Sequence, residues 1–455
     1  MMSVLKQIEE AGIVGVGGAG FPTHVKYKAK VEYLIINAAE CEPLLKTDHY
    51  VMRNHAVEVI RAIDIMKQEV EASYAVIATK AYYKEEISVL KKAKAELGSD
   101  VSFHLMDNFY PAGDEQVMVY EVTGRVVPAG GIPLMVDCIV SNVATMLNIY
   151  QAITNEQAVT TKQLTVTGAV NKPSLLQVPI GTPFIKCLEA VGGSTLAEDF
   201  LFIDGGPMMG TLHVKDEIYD RVVTKTTSGL IVIKDDGYLS KLKHQTLQHI
   251  FAQTKSSCIQ CTLCSEVCPR VMIGHDVVPH KVMRYFGGVA NFGDVEDNKA
   301  LRGALICCEC GICDVIACPM GISPRQVNQY VKKEFANMGV RYEGDKEEFI
   351  VDCMREYKAV SPKNILLKLG LAQYDKYQLN EVRTVAVNEV FIPLSMHIGA
   401  PSAPVVNVGD RVDAGDLIAT IPDASLGANI HASISGEVIS TSDSKIQIKK
   451  AVKCL

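Results

Sequence analysis

Hydrophobic and polar positions change period several times along the chain, and each change marks a unit. Ser3 stands where a helix N-cap would, with Leu5 and Ile8 on one side of 3–11, so a short helix is expected there. It runs into Gly15-Val16-Gly17-Gly18-Ala19-Gly20-Phe21-Pro22, too rich in glycine for helix or strand. Tyr33-Leu34-Ile35-Ile36-Asn37 reads as a buried strand with polar residues just past its carboxyl end. Helical spacing over 51–69, an apolar run Ala75–Ala78 and helical spacing again over Lys84–Leu97 follow. This alternation predicts an α/β layer on a largely parallel sheet, whose ligands gather at the carboxyl ends of the strands.

Period-two alternation takes over at Leu164-Thr165-Val166-Thr167-Gly168-Ala169-Val170, followed by a helix-like stretch from Thr182 to Ala190. That pattern predicts a small β-rich domain. Helix-like segments fill 245–335, and a charged bridge runs from Asp345 to Lys358. Near the end, Val405-Val406-Asn407-Val408-Gly409-Asp410 and Ala414-Gly415-Asp416-Leu417 read as short strands with Gly-Asp turns, a compact barrel or sandwich. The expected units are 1–158, 159–240, 241–340, a linker 341–384, and 385–455.

Composition narrows the class. A hydrophobic share of 48% with 21% charged residues is ordinary for a soluble globular protein. A net charge of -7 and the lack of a basic stripe argue against nucleic acid as partner. No run approaches the roughly 18 apolar residues a membrane span needs, and no signal peptide opens the chain. Fourteen cysteines in so long a chain therefore point to metal ligation in a reducing, cytoplasmic compartment, not to disulfides.

Eight of those cysteines form a pattern. Cys258, Cys261, Cys264 and Cys268-Pro269 are answered by Cys307, Cys310, Cys313 and Cys318-Pro319. Triplets at two-residue gaps, each closed by Cys-Pro, are the ligand pattern of a pair of 4Fe-4S clusters, in which the fourth cysteine of each run serves the other cluster. The expected sets are Cys258, Cys261, Cys264 with Cys318, and Cys307, Cys310, Cys313 with Cys268. Structural zinc prefers two separated pairs. The second run departs from the standard motif by one extra residue before its Cys-Pro. Cys41, Cys138, Cys187, Cys308, Cys353 and Cys454 remain, small buried hydrophobes by default. Cys308 yields to Cys307, which has the right gap to Cys310. His24, His275, His280, His397 and His431 are expected to be packed or hydrogen-bonded, since four thiolates already serve each cluster.

Gly15 to Gly20, followed by Lys26, would let backbone N–H groups and one cation approach a nucleotide phosphate. Asn37-Ala38-Ala39-Glu40-Cys41-Glu42-Pro43 supplies donors and acceptors after the next strand. The spacing matches neither the Rossmann fingerprint nor the lysine-containing phosphate loop.

These segments resemble the flavin site of the NADH-binding subunit of respiratory complex I, and still more that of the C subunit of the Rnf complex. The similarity continues through Tyr110-Pro111-Ala112-Gly113-Asp114-Glu115, Gly130-Gly131-Ile132-Pro133, Ser141-Asn142-Val143-Ala144-Thr145 and Gly205-Gly206-Pro207-Met208-Met209-Gly210. His397-Ile398-Gly399-Ala400 and His431-Ala432-Ser433 place a barrel-sandwich unit at the back, where Rnf C subunits carry it in front. That order, with Cys307 to Ile322 and Arg341-Tyr342-Glu343-Gly344, is similar to the cobalamin reductases of propanediol-utilisation microcompartments. The resemblance implies a multidomain α/β chain: a Rossmann-like flavin/NADH domain, a β-grasp (SLBB-like) domain, a ferredoxin-like helical two-cluster domain and a C-terminal barrel-sandwich hybrid.

It also implies two 4Fe-4S clusters, FMN and NADH. FMN phosphate contacts fall on Gly15, Gly17, Gly18 and Lys26, and the ring lies near Asn37, Glu40, Cys41, Gly113, Asp114, Glu115, Asn142 and Thr145. Phe21 would stack on NADH and Glu42 would bind its sugar or amide, with Glu42 and Glu115 as the catalytic candidates. Val16 and Ala39 stand where complex I usually has arginine and aspartate, which weakens nicotinamide recognition more than flavin binding. The implied reaction carries electrons from NADH through FMN and the clusters to cobalamin. The competing reading is an electron-relay subunit of an Rnf-like complex or of a proline-reductase system. An Asp-x-His-x-x-Gly corrinoid signature is absent from the chain, so cobalamin follows from resemblance alone. The implied setting is the cytoplasm or a microcompartment lumen, with shell proteins as partners. The opening helix reads equally as a targeting peptide or as the first helix of the flavin domain. The last unit resembles lipoyl and biotinyl carriers, but Asp423 to Asn429 contains no lysine, so docking is expected of it and not carriage.

Overall fold

The computed structural model describes residues 2–197, 199–288, 298–344 and 349–450. Cys454 and the part of the charged bridge at 345–348 lie outside the described residues. Strands β1 (Tyr33–Ala38), β2 (Tyr74–Lys80), β3 (Ser102–Met106) and β4 (Cys138–Asn142) form a parallel sheet in the order β3-β2-β1-β4. Its continuous apolar runs are explained by burial on both faces. Leu34 and Ile36 join one core with Ile60, Ile63, Leu90 and Met146 from three helices, whereas Ile35 and Ala39 join a second core with Met118 and Val119. The sheet reverses its winding between β1 and β4, where open α/β sheets hold ligands.

Local signals account for much of this layer. Ser3 caps the helix Val4–Glu10 by accepting from Lys6 N at 3.3 Å, and Ile8 is sealed in the core of the parallel-sheet unit. The opening helix is thus the first helix of that domain. The helix Lys84–Leu97 ends at Gly98 in the left-handed conformation that favours glycine. The helical stretch expected over 51–69 is two helices, Thr47–Asn54 and Ala56–Glu69, separated at His55 (φ -130°, ψ 29°).

The second unit is a six-stranded sheet. Strands β5 (Thr161–Gly168), β6 (Ser174–Pro179), β7 (Phe200–Asp204), β8 (Thr211–Val214) and β9 (Gly229–Lys234) are joined by β10 (Val382–Thr384), in the order β10-β6-β5-β9-β7-β8. Strand β10 returns from the segment expected as a linker and pairs in parallel with β6. The helix Phe184–Ala190 closes one face, with Phe184, Cys187 and Leu188 against Leu164, Phe202 and Val232.

Helices Leu247–Ser257, Pro279–Gly288 and Pro324–Asn337 carry the thiol-rich region on a core of Phe251, Phe286, Val331 and Phe335. The last unit contains β11 (Glu389–Pro393), β12 (Ala403–Pro404), β13 (Arg411–Val412), β14 (Leu417–Thr420), β15 (Ile430–His431), β16 (Gly436–Thr441) and β17 (Lys445–Lys449). They form a four-stranded and a three-stranded sheet around Val390, Ile392, Ile418, Val438 and Ile448. Three units meet at Lys225, whose buried Nζ donates to Gly12 O and Asn429 O, each at 2.6 Å. Among the described residues no helix is long and apolar enough to cross a membrane.

Candidate redox site

The glycine loop lies over the switch point of the parallel sheet. Gly15 N donates to Phe21 O at 2.9 Å and Val14 bridges Pro22, so the loop is a closed finger. Val16 N hangs it on Thr145 Oγ1 at 3.1 Å. A Cβ on Gly17 would come 2.8 Å from Asn142 Nδ2, so that glycine lets the loop approach the end of β4. Gly18 differs. A Cβ there would meet nothing within 4 Å, and its backbone is not among the positive-φ positions. Neither conformation nor packing calls for glycine at 18, which leaves a cradle open to a phosphate.

Asn37, one residue short of the end of β1, lies beside Asn142, its register partner at the end of β4. Asn37 Nδ2 donates to Gly113 O at 3.1 Å, and Gly113 N donates to Cys41 Sγ at 3.3 Å. A Cβ on Gly113 would come 2.9 Å from Cys41 Cβ, so this residue too is small for close approach. Burial pushes the Cys41 thiol up to about 12, keeping it protonated. Asn142 caps the helix Val143–Asn155, accepting from Ala144 N, while its amide donates to Asp48 Oδ2 at 2.8 Å. Lys26 Nζ meets Glu115 Oε1 at 2.7 Å, so the expected phosphate cation and one expected catalytic acid are a pair.

Two expected contacts take another form. Glu40 accepts from Asp48 N at 3.1 Å at the start of the helix Thr47–Asn54, and burial, then the neighbouring Asp48 charge, raises it to about 8. Through Oε2, which also accepts from Thr47 Oγ1 at 3.4 Å, it braces the sheet end. Glu42, expected at a nicotinamide, instead accepts from Met208 N and Met209 N, each at 2.9 Å. Burial raises it to about 7 against those two bonds and the Arg325 charge. Both of its oxygens tie the flavin domain to the loop between β7 and β8.

The cysteines surround two neighbouring cavities. Cys258, Cys261, Cys264 and Cys318 line the first. Cys268, Cys307, Cys308, Cys310 and Cys313 line the second. The backbone reason repeats in both runs. Gln260 and Thr262 adopt positive φ (55° and 65°), as do Glu309 and Gly311 (58° and 80°) at the matching places, turning three thiols towards one space. N–H groups already point at sulfur: Glu309 N to Cys307 and Ile322 N to Cys318, both at 3.4 Å. Among the described residues no three His, Cys, Asp or Glu side chains close on a point as they do round a single ion. Four soft donors around a space suit a cubane, whose four irons each take one thiolate.

Burial raises Cys264 to about 12 and Cys307 to about 11, and pushes Cys268 and Cys313 up as well. Ligation must strip these protons, so cluster loading releases them. Cys308, expected as a bystander, lines the second cavity, where its closeness to Cys310 holds the Cys308 thiol down and pushes the Cys310 thiol up. His280 lines the first cavity with Nδ1 on Ser265 Oγ at 2.8 Å, while His275 and His397 bond backbone carbonyls.

Three bridges join the flavin-side residues to the second cavity. Tyr110 Oη donates to Cys310 O at 2.9 Å. Arg270, two residues past Cys268, pairs with Asp114 Oδ2 at 2.8 Å while Asp114 Oδ1 caps the helix Glu115–Thr123. Arg325 donates to Met208 O, in the loop that Glu42 holds. Neither arginine is among the residues expected from sequence. The one available signal was a Pro-Arg pair downstream of each thiol run, Pro269-Arg270 directly after Cys268 and Pro324-Arg325 six residues past Cys318.

Comparison with known proteins assigns the class. The Nuo51 FMN-binding domain matches residues 8–151, the SLBB domain 163–212, the 4Fe-4S dicluster domain 257–323 and the RnfC barrel sandwich hybrid domain 376–455. The chain is a flavin and iron-sulfur oxidoreductase of the wider group that includes the Rnf C subunits. Within that class it belongs to the cobalamin reductase PduS family. It is 39% identical over 446 residues to the cobalamin reductase PduS of Salmonella typhimurium, covering 98% of this chain and 96% of that protein. The cobalamin reductase PduS of Citrobacter freundii is 37% identical, with the same shares covered. The C subunit of the Na(+)-translocating ferredoxin:NAD(+) oxidoreductase complex of Acetobacterium woodii is 33% identical over 59% of this chain and 58% of its own.

Proposed function

We infer that this chain takes electrons from NADH and delivers them, one at a time, to a cobalamin, keeping a B12-dependent diol dehydratase active within a microcompartment. One observation carries the reading. The segment 110–114, which Gly113 holds to Asn37 at the sheet switch point, is bonded to the thiol-rich region, through Tyr110 to Cys310 in the wall of the second cavity and through Asp114 to Arg270, two residues past Cys268. A flavin takes two electrons as a hydride and iron-sulfur centres pass them singly, so a chain holding both joins a two-electron donor to a one-electron acceptor.

The residues divide this work. Gly15, Gly17 and Gly18 hold the FMN phosphate with Lys26, which Glu115 positions. Asn37, Cys41, Gly113, Asp114, Asn142 and Thr145 frame the ring, and Glu40 stiffens the strand end beneath it. Phe21, 36% exposed at the rim of the loop, is placed to stack on a nicotinamide. Cys258, Cys261, Cys264 and Cys318 hold one 4Fe-4S cluster, and Cys307, Cys310, Cys313 and Cys268 a second.

The test is anaerobic. Protein loaded with FMN, iron and sulfide is mixed with NADH, and then with a cob(III)alamin. The iron-sulfur absorbance should bleach on NADH alone and recover as the cobalamin spectrum changes. Bleaching only by a partner protein would replace this reading with that of a relay subunit. Bleaching by NADH without cobalamin reduction would retire the acceptor alone.

A further inference from the structure

The two thiol cavities are unlike in charge. No arginine or lysine lines the first. Arg325 lines the second, and the Arg270 guanidinium, two residues past Cys268, acts electrostatically on Cys308, which also lines it. Both guanidinium groups are fixed by their ends: Arg270 through Asp114 and Gln116, Arg325 through Met208 O. Their Nε–H groups are buried and find no acceptor among the described residues. A buried donor without an acceptor is unfavourable in a finished structure, and such groups ask for an explanation. Sulfide and thiolate sulfurs of a bound cluster are acceptors of the right charge. Hydrogen bonds to those sulfurs and nearby positive charge are established levers on cluster potential.

We propose that Arg270 and Arg325 are positioning residues for the second iron-sulfur centre, making it the more easily reduced of the two. The proposal rests on the reading that Cys268, Cys307, Cys310 and Cys313 hold a 4Fe-4S cluster. Its location fits the task, because the centre so favoured is the one bonded to the flavin side through Tyr110 and Asp114. Part of the Arg270 charge is balanced by Asp114, and Arg325 faces Asp314 and Glu309 as well as Glu42. Hydrogen-bond donation from Nε–H therefore has a larger share in the effect than net charge does.

The experiment is a redox titration of the fully loaded chain followed by electron paramagnetic resonance, with R270Q, R325Q, R270K and the unchanged protein side by side. The second centre is identified as the signal retained in C261S. In R270Q and R325Q its midpoint should fall by at least the equivalent of a tenfold change in the reduction equilibrium, 59 mV for one electron. The first centre should stay put, and R270K should recover only part of the loss because lysine lacks the fork. Unmoved potentials, an equal shift in both centres, or movement of the first centre alone would overturn the proposal. If every arginine variant fails to take up iron and sulfide while folding normally, the arginines are scaffold and the proposal fails. If the unchanged protein holds no iron and sulfide, the cluster reading itself falls, a result that analysis of the starting material reports separately.

Discussion

The hydroxyl of Tyr110 donates to the carbonyl of Cys310 at 2.9 Å, joining residues 200 positions apart at the seam between the flavin-binding unit and the second thiol cavity. Tyr110 is 2% exposed, so no water replaces it. Tyr110→Phe should leave the Cys310 carbonyl short of a donor and destabilise the chain by about 1–3 kcal/mol. Urea denaturation checks the first effect. Slower iron-sulfur reduction by NADH with unchanged flavin content should accompany it, and unaltered stability and rate together would remove Tyr110 from the seam.

Gly18→Val tests the phosphate cradle. Ordinary φ and empty surroundings mean the substitution should leave the melting temperature unchanged. FMN affinity should drop about tenfold or more, ~1.4 kcal/mol. Fluorescence titration with FMN gives the answer, and full affinity would place the phosphate elsewhere.

Cys261→Ala takes one corner from the first cavity and none from the second. Iron and sulfide should fall by about half, with FMN retained. Loss of all iron would mean that the cavities do not fill independently.

Lys225→Met addresses the three-way junction. Burial lowers the Lys225 amine to about 7, below its usual 10.5, so between those values the unfolded chain binds more protons than the folded one. Stability from this group therefore rises with pH through that window. The substitution should destabilise at every pH by stranding Gly12 O and Asn429 O, and the gap from the unchanged chain should widen from pH 7 to pH 10. Denaturant midpoints at the two pH values decide it, and a constant gap would show that the amine stays charged in the fold.

What the sequence discloses and withholds follows range of interaction. Ser3, the buried run of β1 and the helix Lys84–Leu97 are set by neighbours within a few residues, and their patterns can be read directly. The thiol sets are legible because a cluster imposes its own spacing. His55 separates two helices without being glycine or proline, so nothing local announces the break. Glu42 looked free because its partners, Met208 N and Met209 N, come from another sheet, and β10 is assigned to β6 only by the fold. Arg270 and Arg325 gain their meaning from Asp114 and Met208, far away along the chain.

The exchange of closing cysteines has a consequence for biosynthesis. Cys268 stands at the second cavity and Cys318 at the first, so the first cysteine run completes neither nest: the second core needs Cys307, Cys310 and Cys313, and the first waits for Cys318. Metal insertion is thereby a late event in the life of the polypeptide, and a product terminated ahead of Cys307 would be born without either half of its wiring.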